Sequence, residues 1–172
     1  MKRTVSRLEY DVYSPDDYYE EKDDLMAYAW NGIGKSPITL FREELTRRFI
    51  KSREVDHTLL NYTILLDIDD ERQELSAGVL YRENNLFFMV DLVIDCPDDV
   101  EILANVAGIA YDMYTREEPY YGRLLIKDGK TYYQLCHILG PSGMLDPAMA
   151  GILLDLVLKE VLEVIGERYS ME

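Results

Sequence analysis

Several short stretches carry residue types that could do chemistry. The first is NGIGKSPITLF at positions 31–41, where Gly34-Lys35-Ser36 precedes an amphipathic run. A phosphate-binding loop needs a glycine five residues before its Gly-Lys-Ser, so that several backbone N–H groups face the phosphates. Position 29 is alanine, the preceding DDLMAYAW is acidic and helix-like, and Pro37 has no N–H where the helix terminus should cradle an anion. TILLDIDDE imitates the magnesium-binding strand of such enzymes, but any strand ending in an acidic turn does so. The stretch is therefore a helix start, with Ser36 as the cap and Pro37 in the first turn.

The other candidates also have simpler readings. Asp67, Asp69, Asp70 and Glu71 lack the alternating acids and the glycine of a calcium loop, so a solvated turn between strands is expected. GPSG at 140–143 has the spacing of a single-strand RNA clamp, but it follows a strand in an acidic chain and reads as a turn. Cys136-His137 would be neighbours along a strand, pointing to opposite faces, and so no nucleophile–base pair. A packed Cys136 is expected instead. Asp155, Glu160 and Glu163 fall on a long C-terminal helix and read as its wet face. No catalytic, cofactor-binding or metal-ligating residue emerges.

The bulk numbers frame these readings. The 172 residues suit one domain with a short extension, and 48% apolar residues are enough for a core without metal or disulfide staples. The formal net charge of −15 disfavours nucleic acid and anionic membranes as partners and could attract basic ones. Arg42, Arg47, Arg48, Lys51 and Arg53 are interleaved with Glu43, Glu44 and Glu54, and form no basic patch. Two cysteines without a CxxC, Cys96 and Cys136, read as free thiols in a reducing compartment. GILLDLVLKEVLEVI is broken by charges and is not a membrane span. No signal peptide is evident, so a cytoplasmic location is expected.

The elements follow from periodicity and turn signals. Residues 1–35 read as an acidic, tyrosine-rich extension, either helical over 15–31 or a mobile arm, ahead of a single domain over 36–172. Ile38, Phe41, Leu45 and Phe49 make one apolar helix face over 37–52, with Arg47, Arg48, Lys51 and Arg53 in the last turns. LLNYTILLDI, LSAGVLY and LFFMVDLVID alternate as three antiparallel strands. A second helix starts after Pro97, with Val100, Leu103, Val106, Ala107, Ala110 and Met113 as its stripe. RLLIK and KTYYQLCHI flank Asp128-Gly129, a strong hairpin signal. A last helix starts near Pro147, with Met149, Leu153, Leu156, Leu158, Leu162 and Ile165 apolar. The expected fold is α+β, in the order α-β-β-β-α-β-β-α, with an antiparallel sheet packed against helices. The third strand is apolar on both faces, so Phe87, Met89 and Val93, joined by Leu65 and Leu80, form a candidate surface for a protein partner. Coverage of that face by a helix of the same chain is the alternative. Fourteen tyrosines, several in pairs, fit either an interface or the rim of a core.

This order, in a small acidic protein, resembles the YbjN-like family and the class I type III secretion chaperones. LFFMVDLVIDCPDD is similar to the family's third strand running into its middle helix, GRLLIKDGKTYYQLCHIL to its hairpin, and DPAMAGILLDLVLKEVLEVI to its closing helix. The resemblance covers residues 37–166 and rests on element order and hydrophobic texture. It implies a non-enzymatic binding module, adaptor or chaperone-like, usually a homodimer, with no cofactor. The chaperones hold an extended client against their sheet and first helix. Other readings are a small ligand-binding protein or enzyme using carboxylates or the Cys136 region in a polar pocket, and an acidic decoy for nucleic-acid-binding proteins.

Overall fold

Ser36 begins the first helix as its residue type suggests. Its backbone is extended, its Oγ accepts from the Thr39 N–H at 3.2 Å, and Pro37 occupies the first turn. In the computed structural model, which describes residues 5–14, 36–68, 70–95, 100–140 and 143–170, this helix is α1, Pro37–Arg47. Lys35, Cys96 and the expected elements at 15–35 lie outside the described residues.

Among the described residues the sheet has seven strands: β1 (Val5–Tyr10), β2 (Ser52–Asp56), β3 (Leu59–Ile68), β4 (Glu71–Arg82), β5 (Asn85–Asp95), β6 (Arg123–Lys127) and β7 (Lys130–Ile138). All pairings are antiparallel, in the order β1-β3-β4-β5-β7-β6, and β2 shares the outer edge of β3 with β1. Helices α2 (Val100–Thr115) and α3 (Pro147–Ser170) complete the α+β fold. Asp128 and Gly129 turn the β6–β7 hairpin, both at positive φ (52° and 73°) as a two-residue type I′ turn requires.

The core lies on one face of the sheet. Leu60, Tyr62, Ile64 and Leu66 of β3, Leu75, Ala77 and Val79 of β4, Leu86, Phe88, Val90 and Leu92 of β5, and Tyr133 and Leu135 of β7 are all buried there. All three described helices pack on this face: Ile38, Phe41 and Leu45 of α1, Ile109 and Met113 of α2, and Leu153, Leu154, Val157 and Val161 of α3 join the same cluster. Phe41 meets Phe88 edge-on, with centroids 5.1 Å apart.

Two boundaries differ from the sequence reading. The expected extension over 1–35 contains β1, which pairs Val5–Tyr10 with β3, and Tyr10 is buried with its hydroxyl donating to the Leu154 carbonyl at 2.5 Å. Sequence patterning missed this strand because its partner is more than fifty residues away. The first helix ends five residues early, at Arg47 and not at 52. Phe49 takes a left-handed φ of 60°, the Phe49 N–H donates to the Thr46 carbonyl, and the Ile50 N–H to the Leu45 carbonyl. That is a Schellman stop, with Ile50 buried against the helix and Phe49 half-exposed in the position that usually holds glycine. The chain after it forms β2, so Lys51 and Arg53 leave the helix and reach the sheet edge.

A left-handed phenylalanine costs about 1 kcal/mol relative to glycine. Phe49→Gly is therefore expected to raise the thermal midpoint by roughly 2–4 °C, read by circular dichroism. A lower midpoint would mean that the Phe49 ring contributes more packing than its exposure implies.

Arg48 ties α1 to α3. It donates to Glu44 Oε1 at 2.7 Å, to Asp155 Oδ1 at 2.6 Å and to the Gly151 carbonyl at 3.1 Å, and Arg47 also donates to Glu44. Burial pushes the Glu44 carboxyl up, but the hydrogen bonds and charges of Arg47 and Arg48 outweigh it and hold the group below its ordinary 4.5. A depressed folded value means that the stabilisation is complete above the unfolded value and is lost as pH falls through the folded one. Glu44→Gln is expected to cost about 1–2 kcal/mol at neutral pH, a deficit that shrinks below about pH 4. Urea unfolding at a series of pH values checks this, and a deficit independent of pH would remove Glu44 from the acid limb.

Candidate binding face

The residues between the buried ones point to the opposite side of the sheet. There Leu59, Leu65, Leu80, Phe87, Met89, Tyr132, Gln134 and Leu125 are half-buried, and Asn61, Ser76, Cys136 and Arg123 are exposed. This parity follows from the period of two along each strand, given that all three described helices cover the other face. Four of the residues expected from sequence to form a partner surface are brought onto it: Leu65, Leu80, Phe87 and Met89. Val93 lies in β5 within the register shift between Asp91 and Ile94.

The face is shaped as two adjoining depressions. One, of about 660 Å³, is bounded by Lys51 and Arg53 at the β2 edge and by Asp91 and Tyr132 further across. The other, of about 430 Å³, reaches Arg82 and Lys127. Leu80, Phe87 and Met89 line both and so form the apolar middle of a groove crossing the sheet. Leu65 shares the face but lies beyond the groove. Pairing opposes Leu80 to Phe87 and Gly78 to Met89, and Asn61 is opposite Gly78 on the far strand. A Cβ at Gly78 would stand 3.0 Å from Asn61 Oδ1, so the missing side chain keeps the middle of the groove low.

The polar groups of the floor are mostly engaged within the sheet. Gln134 Nε2 donates to Met89 Sδ at 3.2 Å, and Arg123 donates to Gln134 Oε1 at 2.8 and 2.6 Å. Asp91 stands 3.7 Å from Lys130 Nζ. Cys136, expected to be packed, is exposed on this face because no described helix covers it. His137 lies on the opposite parity of β7, opposite Leu86, so the two neighbours form no catalytic pair.

Elsewhere, the acidic turn is spent on structure: Arg72 donates to both Asp67 oxygens, at 3.0 and 3.3 Å, and its hydrogen bond holds the Asp67 carboxyl below the usual range. Among the described residues no group of three His, Cys, Asp or Glu is placed to hold a metal ion. Glu160, read from sequence as part of a wet face, is instead 3% exposed. It accepts from the Gly122 N–H at 2.9 Å, the Tyr121 N–H at 3.0 Å and the Tyr133 hydroxyl at 3.0 Å. A depression of about 370 Å³ lies beside it, but both carboxylate oxygens are taken by the chain's own donors. The signal that could have found it was spacing: position 160 lies three residues after the buried Val157.

No protein-family model, curated protein or solved structure matches the chain. Among the described residues no helix is long and apolar enough to cross a membrane.

Proposed function

We propose that this protein is a non-enzymatic protein-binding module, adaptor or chaperone-like, that holds an extended segment of a partner against the uncovered face of its sheet. The observation carrying this reading is the groove across that face, with Leu80, Phe87 and Met89 half-buried at its middle while every described helix packs on the other side. An antiparallel sheet normally leaves one face polar; large apolar side chains central on that face are what a docked segment would bury. The open, shallow shape suits a chain laid across it better than a small molecule, which binds in a more enclosed pocket.

The same reading places the protein in the cytoplasm as a homodimer. The helical layer presents exposed apolar side chains, Tyr111 and Tyr114 on α2 and Ile152 and Leu162 on α3, and association through that layer leaves the sheet face free. Sedimentation is expected to show twice the 20.0 kDa chain mass.

The test is affinity capture from native lysate with the normal protein and with a Phe87→Asp, Met89→Asp variant whose fold is verified by circular dichroism. A polypeptide enriched by the first and lost with the second is the expected result. Enrichment indifferent to the two substitutions, or none at moderate salt, would overturn the sheet-face reading.

A further inference from the structure

The groove differs in charge from the rest of the molecule. The chain has 33 acidic and 18 basic side chains, yet the charged residues lining the two depressions are Lys51, Arg53, Arg82 and Lys127 against Asp91 and Glu83. Asp91 is already beside Lys130, Glu83 is 3.8 Å from Arg82, and Lys51 is 3.3 Å from Asp11. Arg53 and Lys127 have no ion pair with any described residue. In a chain with almost two acids for every base, two such cations at one groove stand out.

Their positions matter as much as their sign. Arg53 is on β2, opposite Asn61 at one edge of the sheet, and Lys127 is on β6, opposite Lys130 at the other. Between them run β3, β4, β5 and β7, and Leu80, Phe87 and Met89 lie on the two central strands, β4 and β5. Arg53 is in register with Arg123 through Asn61, Gly78, Met89 and Gln134, and Lys127 stands four residues further along β6. Six strands at about 4.8 Å spacing and an offset of four residues put the two positions roughly 27 Å apart, the length of about eight extended residues. Resting on the proposed sheet-face function, we infer that the partner segment is an acid-ended, apolar-centred extended peptide of about eight residues or more. Its terminal carboxylates face Arg53 and Lys127, and its middle side chains cover Leu80, Phe87 and Met89. The protein's overall negative charge then works as a filter: an acidic segment is repelled from the general surface and accepted only in this groove.

The experiment is fluorescence anisotropy with three labelled synthetic peptides, at low and at physiological salt. One has two aspartates at each end and four leucine or phenylalanine residues between; the second has lysines at the ends; the third keeps the aspartates and has serines in the middle. The first is expected to bind at least tenfold more tightly than the others, and less tightly at higher salt. Arg53→Gln with Lys127→Gln should erase the preference for acidic ends, and Arg53→Glu with Lys127→Glu should reverse it. Phe87→Asp should abolish binding of the first peptide.

Equal binding of the acid- and lysine-ended peptides, both lost with Phe87→Asp, would overturn the charge preference and leave the sheet-face function standing. Binding of no peptide at all would overturn both. Equal binding of the serine-centred peptide, or tighter binding of a labelled oligothymidylate, would show an anion site and not a peptide groove. A protein that sediments as a dimer and becomes monomeric on Phe87→Asp would show that the occupant is a second copy of the chain, and that too overturns the inference.

Discussion

Glu160→Ala is expected to destabilise the protein by about 3–5 kcal/mol, a large share of the 5–15 kcal/mol typical of a domain. The carboxylate has three donors, the N–H groups of Tyr121 and Gly122 and the hydroxyl of Tyr133, and it sits almost fully buried on α3. Alanine leaves these donors without the carboxylate acceptor, and each orphaned group costs about 1–3 kcal/mol. Burial, the Glu160 charge and the hydrogen bond to it together push the Tyr133 phenol above its ordinary range, so it remains a donor at every physiological pH. The knot has no slack, because a Cβ at Gly122 would run into the Tyr133 ring. Glu160→Gln, which keeps one acceptor oxygen, should cost roughly 1–2 kcal/mol. Urea unfolding followed by far-UV circular dichroism measures both. An alanine variant within 1 kcal/mol of the normal protein would mean that the carboxylate is a passenger on the helix and not the anchor of the chain entering β6.

Phe88 and Phe87 should behave in opposite ways although they are neighbours. Phe88→Ala is expected to cost about 3–5 kcal/mol: its ring is fully buried, meets Phe41 edge-on, and leaves a cavity between sheet and α1. Phe87→Ala should change stability by less than about 1 kcal/mol, because its ring is only half-buried on the uncovered face. Combining Phe88→Ala with Phe41→Ala should recover about 0.5–1.5 kcal/mol of coupling beyond additivity. Equal losses at positions 87 and 88 would show that something covers the second face and would undercut the groove. The contrast therefore tests the architecture on which the proposed function rests, without needing a partner.

Most elements were legible because each is specified locally. Leu60, Tyr62, Ile64 and Leu66 alternate along β3, and Asp128-Gly129 admits the positive φ of a two-residue turn. Ser36-Pro37 caps α1, as the two residue types specify. The candidate face was legible to the same degree: a strand apolar on both sides must place Phe87 and Met89 opposite Phe88, whatever covers either side.

What sequence patterning misread depends on contacts between distant residues. Val5–Tyr10 carries no distinctive pattern and becomes a strand only because β3 offers it an edge. Periodicity carried α1 through Phe49, whereas burial of Ile50 and the Schellman bonds ended it at Arg47. Leu162, placed in the apolar stripe of α3, is 41% exposed, while Glu160, assigned to water, is buried where the chain just before β6 and Tyr133 of β7 supply donors. Cys136 is exposed for the reverse reason, a strand position with no described helix above it.

The amino-acid sequence determined the α+β class, the strands from β3 onward, the helix starts and the parity of β3, β4 and β5, because turn chemistry and side-chain period act between near neighbours. Only the tertiary structure decided which sheet face the helices cover, that Arg53 and Lys127 stand at opposite ends of one groove, and that Glu160 belongs to the interior. Those outcomes depend on which elements meet, and local periodicity does not encode the meeting.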